Sequence, residues 1–105
     1  MDTWNNQNLT INNNTVLQRN PEQLFTPIDD EVVMLDIKHE EYLNLNSHAS
    51  YIWQQLKTPH SFAELIDQLC RAYNVDRKVC IQDTLDFITG FVEKGSIQII
   101  HEKNS

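Results

Sequence analysis

Val32-Val-Met-Leu-Asp-Ile-Lys-His-Glu-Glu-Tyr-Leu-Asn-Leu-Asn46 runs without a break into Ser47-His-Ala-Ser-Tyr-Ile-Trp-Gln-Gln-Leu56. Val32–Ile37 alternates as a strand does, with Val33, Leu35 and Ile37 on one face. Lys38–Glu41 is polar and turns the chain. Tyr42–Asn46 alternates again, Leu43 and Leu45 pointing one way, Tyr42 and Asn44 the other. From Ser47 the period becomes helical: Ala49, Ile52, Trp53 and Leu56 recur at spacings of three and four, and Asn46 or Ser47 can cap the first turn. The second strand thus ends where the helix begins. A short strand beside helices can offer unpaired backbone to another peptide, so this order points to a binding module rather than an enzyme.

Upstream, Gln23-Leu-Phe-Thr-Pro-Ile28 reads as a first strand. Pro27 has no amide to donate, which places that strand at an edge or ends it. Asp29-Asp30-Glu31 is a turn. Residues 1–20 are rich in Asn and poor in charge, and are expected to form a flexible N-terminal segment; the alternative is that Leu9–Ile11 or Thr15–Leu17 adds a strand or packs on the sheet. Downstream, Thr58-Pro59 ends the first helix. Ser61-Phe-Ala-Glu64 is a capping box opening a second, with Phe62, Leu65, Ile66, Leu69 and Tyr73 on its apolar face. A third starts after Asp76 and stops at Lys94-Gly95, a cation followed by a C-terminal glycine. Ile97–Ile100 can form a brief last strand, and 101–105 is a polar tail. One domain is expected over 21–100.

The third helix carries two apolar stripes. Ile81, Leu85, Ile88 and Val92 are expected in the core. Cys80, Thr84, Phe87 and Phe91 form a second stripe, rotated by about 100° on the helical period. A small domain needs one such stripe, so the second either widens the core face or lines a groove beside the sheet.

The 105 residues suffice for one small domain, and 40% hydrophobic with 22% charged residues fits an ordinary globular fold. A net charge of -7 repels phosphate backbones and argues against nucleic acid. The N-terminus does not resemble a secretory signal, and no segment approaches the roughly 20 apolar residues that span a bilayer. The expected compartment is the cytoplasm, with Cys70 and Cys80 as reduced, buried thiols and no membrane partner.

Residues that carry chemistry do not assemble. His39, His48, His60 and His101 are not at metal-ligand spacing with one another or with a cysteine, so no metal site is expected. The only glycines are Gly90 and Gly95, which rules out a phosphate-cradling loop and a Gly-x-Ser-x-Gly elbow. No cofactor and no catalytic residues are expected. Three helices beside a small sheet also describe a winged-helix DNA-binding regulator. The third helix, however, exposes Asp83, Asp86 and Glu93 where such a protein presents Arg, Lys, Asn or Gln to base edges.

Leu35-Asp36, Tyr42, Leu45-Asn46 and Ile52-Trp53, followed by Phe62-Ala-Glu-Leu65-Ile66, Tyr73-Asn-Val-Asp76 and Phe91-Val-Glu-Lys-Gly95, resemble the PqqD-like family of RiPP precursor peptide recognition elements. The likeness spans about Val16 to Ile100 and lies in order and spacing. It departs at His39-Glu40-Glu41, where the family usually carries a glycine. The resemblance implies an α+β, winged-helix-like fold, a three-stranded antiparallel sheet packed on three helices. It implies a stand-alone protein that binds the leader region of a ribosomally made precursor by strand addition. That precursor then passes to a separate modifying enzyme such as a leader protease, a cyclase or a radical SAM protein. A lasso-peptide type of pathway is favoured over a peptide chaperone of PQQ cofactor biosynthesis. Combined with the two stripes, Tyr42, Leu43, Asn44 and Leu45 are expected to supply a backbone ladder. Cys80, Thr84 and Phe87 are expected to form an apolar pocket, and Glu41, Asp83 and Asp86 to attract basic leader residues.

Overall fold

A computed structural model describes residues 11–100. Nine elements follow one another: β1 (Val16–Arg19), β2 (Leu24–Ile28), β3 (Glu31–Asp36), β4 (Glu41–Leu45), α1 (Ser47–Gln55), β5 (His60–Ser61), α2 (Phe62–Ala72), α3 (Arg77–Lys94) and β6 (Ile97–Ile100). The fold is α+β, with three helices and two three-stranded antiparallel sheets, ordered β2-β3-β4 and β5-β1-β6.

The first sheet, its two turns and the three helices stand where the residue pattern put them. Asn46 Oδ1 accepts the Ala49 N–H at 2.8 Å to cap α1. Ser61 and Glu64 form the full capping box of α2, at 3.1 and 3.0 Å. Gly95 ends α3 at φ 84, the left-handed region that glycine enters at no steric cost.

The second sheet realises the alternative reading of the N-terminal stretch rather than the flexible one. Val16–Arg19, overlapping Thr15–Leu17, is its central strand, and Leu17 is fully buried. Its partners are β6 and the two residues of β5, which lie far along the sequence, so no local pattern announces the pairing. The rest of the N-terminal stretch and the C-terminal tail, residues 1–10 and 101–105, lie outside the described residues.

The buried face of β3 is the one opposite to Val33, Leu35 and Ile37. Val32 and Met34 enter the core, while Ile37 is 69% exposed in the turn. Pairing decides this. Val32 stands opposite Leu45 and Met34 opposite Leu43, so the three strands share one inward face. Val32-Val-Met-Leu35 is apolar at every position, so alternation alone does not choose.

The core joins that face to Ile52, Trp53 and Leu56 of the first helix region, Leu65 and Leu69 of α2, and Ile88 of α3. Trp53 meets Phe25 edge to face at 5.5 Å. Ser50, buried in α1, closes the foot of the hairpin: its Oγ accepts the Val32 N–H at 2.9 Å and donates to the Leu45 carbonyl at 3.1 Å. One hydroxyl therefore satisfies a buried donor and a buried acceptor. Ser50→Ala is expected to cost about 1–3 kcal/mol in urea unfolding, the penalty of leaving such groups unpaired. A loss below about 0.5 kcal/mol, the usual range of a surface change, would contradict this role.

Candidate functional site

β4 pairs with β3 on one side and with no strand on the other among the described residues. Which of its backbone groups are free follows from the hairpin geometry. β2 and β3 are joined by Asp29 and Asp30 alone, so the closing residues Ile28 and Glu31 bond across the turn. Backbone groups alternate sides along a strand, so Glu31, Val33 and Leu35 are directed at β2, and Val32, Met34 and Asp36 at β4. The Val32 N–H obeys this, reaching the Ser50 hydroxyl that bridges to Leu45. Their partners Glu41, Leu43 and Leu45 are committed to β3. Tyr42 and Asn44 thus turn their N–H and C=O outward.

The expected backbone ladder therefore narrows to two residues. Side chains divide along the same strand: Tyr42, 78% exposed, and Asn44 lie on the outer face, Leu43 is 39% exposed on the inner face, and Leu45 is core.

A groove of about 1100 Å³ opens beside this edge. Glu41, Tyr42, Leu43 and Met34 line its strand side, Ile37 and His39 its hairpin end, and Phe91 and Lys94 its helix side. The opposite wall is thus the C-terminal end of α3. Phe87 stacks on Phe91 with ring centres 4.4 Å apart, and the Lys94 ammonium lies 5.5 Å over the Phe91 ring.

Two expected wall residues are corrected. Cys80 and Thr84 are 1% and 0% exposed and belong to the core, with Sγ and Oγ1 3.9 Å apart. The buried stripe of α3 runs Cys80, Thr84, Ile88 and Phe91, and Ile81, expected inside, is exposed. The helix is rotated so that its small residues face inward, and small side chains are what let helices approach closely. Asp83 and Asp86 are exposed on α3, Asp86 accepting from the Gln82 amide at 3.1 Å. Neither lines the groove. Glu41, Tyr42 and Leu43 are gathered there, and Phe87 joins through Phe91. Lys94 and Met34 were missed. Lys94, read only as a helix-ending cation, stands one turn beyond Phe91, a spacing that could have revealed it.

The hairpin tip fixes where the edge begins. Glu40 adopts φ 54, in the left-handed region that favours glycine. Asp36 accepts the His39 N–H at 3.1 Å through Oδ1 and meets His39 Nδ1 at 2.9 Å through Oδ2. Among the described residues no group of three or more His, Cys, Asp or Glu could hold a metal ion, and no helix is long and apolar enough to cross a membrane.

The family model described as coenzyme PQQ synthesis protein D (PqqD) matches residues 31–97, from β3 to the start of β6 and more than half of the chain. The chain belongs to the PqqD family. Two similar solved structures are TbiB1 in complex with the TbiA(beta) leader peptide and a lasso peptide synthetase B1 complexed with the leader peptide. The first is 28% identical with a TM-score of 0.69, over 81% of this chain and 99% of that one. The second is 30% identical with a TM-score of 0.66, over 78% of this chain and 96% of that one. No curated protein matches the chain.

The Asp36–His39 contact makes the hairpin tip sensitive to pH. The bond to Asp36, with the charges of Asp36 and Glu41 adding to it, holds the His39 imidazole above its ordinary value. The same bond, with the His39 amide, holds the Asp36 carboxyl below its own. The ion pair is lost as pH rises through the raised histidine value and again as pH falls through the lowered carboxyl value. An NMR titration is expected to place the His39 midpoint above that of an ordinary histidine, and Asp36→Asn to bring it down. An identical midpoint in both proteins would refute the pairing.

Proposed function

We propose that this protein binds the leader region of a ribosomally made precursor peptide along β4 and delivers it to a separate modifying enzyme. The reading rests on one observation above others: β4 has a free edge beside a groove lined by both apolar and polar side chains, in a fold shared with two proteins held in complex with leader peptides. On this reading the leader adds a strand through Tyr42 and Asn44. Its inward side chains meet Leu43, Phe87 and Phe91, and its outward ones lie beside Tyr42. Main-chain bonds supply affinity without regard to sequence, and the groove supplies selectivity. Glu41 at the mouth, with Asp83 and Asp86 further along α3, favours basic residues flanking the bound segment. Lys94 offers a single counter-charge at the other end.

Catalysis belongs to the partner on this reading, whether a leader protease, a cyclase or a radical SAM protein. A lasso-peptide type of pathway is preferred to PQQ biosynthesis, because one of the similar structures is a lasso peptide synthetase B1 protein. The protein acts as a carrier with no cofactor of its own, in the cytoplasm where precursors are made.

Proline at Asn44 removes one outward amide while leaving every bond to β3, and an edge strand tolerates such a residue. Calorimetric titration with the precursor encoded beside the gene is expected to show binding to the unsubstituted protein. Asn44→Pro should weaken it about tenfold or more, with a melting temperature close to that of the parent. Equal affinity for parent and variant would exclude strand addition at this edge.

A further inference from the structure

The first sheet is apolar on both faces, yet the fold covers only one. The register aligns Leu24, Leu35 and Tyr42 in one outward row and Thr26, Val33 and Asn44 in the next, with Ile28 at the end of β2. Leu24 is 48% exposed and Ile28 53%. An antiparallel sheet with one face on a core ordinarily turns polar residues outward. A contiguous exposed apolar face of this kind marks a surface that another molecule covers.

Charge identifies the kind of molecule. Seven of the fifteen carboxylates lie between Glu22 and Glu41, but of the eight Lys and Arg only Lys38 does. The segment from Glu22 to Glu41 therefore carries six of the chain's seven net negative charges, and the rest of the molecule is close to neutral. Asp29-Asp30-Glu31 at one hairpin end and Asp36–Glu41 at the other carry net charges of -3 and -2, at opposite ends of the apolar face. A second copy would set acidic ends against acidic ends or leave the apolar rows misaligned, and anionic lipid and nucleic acid are repelled for the same reason. What fits is a protein with an apolar patch rimmed by Lys and Arg.

We propose that this outer face is where the peptide-modifying enzyme docks, an inference that rests on the leader-delivery reading. The face is continuous with the β4 edge. A leader strand paired to Tyr42 and Asn44 places its own outward side chains as the next row of the same surface. The enzyme then meets a wider face when the carrier is loaded than when it is empty, which couples docking to cargo.

The probe is the purified modifying enzyme encoded beside the gene, titrated against the full chain with and without its precursor. Thr26→Glu combined with Ile28→Glu changes only β2, the strand at the opposite edge from β4, at two exposed positions outside the groove that leave folding intact. The double variant should bind the enzyme about tenfold more weakly or worse, as loss of a central apolar contact does. Its affinity for the precursor should stay within about twofold of the parent, in keeping with additivity at separated sites. Precursor should tighten enzyme binding to the parent, and added salt should weaken it. Undiminished enzyme binding by the double variant would overturn the proposal. So would self-association of the parent in sedimentation that the double variant abolishes, or binding to phosphatidylglycerol vesicles that it abolishes. A parent chain that fails to bind precursor instead defeats the leader reading, and that result is separate because enzyme binding is also measured with no precursor present.

Discussion

Leu45 is the last residue of β4 and Asn46 already caps α1, so no loop separates the edge strand from the helix packed against it. The Ser50 hydroxyl, one turn into α1, ties that junction to the start of β3. The rest of the arrangement follows from this joint. The helix is held against the inner face of the hairpin, β4 cannot slide along β3, and the outward groups of Tyr42 and Asn44 are fixed in direction. A binding edge needs such support, because a strand that could shift by one residue would exchange its inner and outer faces. The buried hydroxyl thus stabilises the fold and sets the register of the surface that a peptide would meet.

The chain divides its labour between halves of different character. Helices and the second sheet supply a nearly neutral, tightly packed body around Trp53, Leu65 and Ile88. The first sheet carries most of the net charge, apolar residues on both faces and an open edge. Long-range attraction of basic partners and short-range apolar contact are thereby concentrated on three strands. This is a sensible division for a carrier that must hold a peptide and be recognised by an enzyme at once, on the proposed reading. It also leaves little for a nucleic acid to hold, since α3 exposes Asp83, Asp86 and Glu93.

What the residues announce in advance tracks how local the causes are. The capping box at Ser61 and Glu64, the Asn46 cap and the Gly95 stop depend on neighbours a few positions away, and each lies where its pattern puts it. The hairpin was legible for the same reason. β1 was obscure because Val16–Arg19 finds its partners at Ile97–Ile100 and His60–Ser61, a pairing that four residues of modest alternation do not reveal. The core face of α3 was misread, and that of β3 left unassigned, where apolar residues crowd both sides. Val32–Leu35 and the twin stripes of α3 offer two plausible cores, and only packing chooses between them. At the candidate site the backbone edge was therefore legible, and its opposite wall was displaced by about two turns, from Cys80–Phe87 toward Phe91 and Lys94.

The most direct measurement of the central claim is residue-resolved amide exchange across β4, in the free protein and at saturation with its precursor. The account predicts that Leu43 is protected in both states, because it bonds to β3. Tyr42 and Asn44 should exchange rapidly in the free protein and slow markedly once the precursor is bound. Protection of Tyr42 and Asn44 before any peptide is added, or rapid exchange of both at saturation, would contradict it.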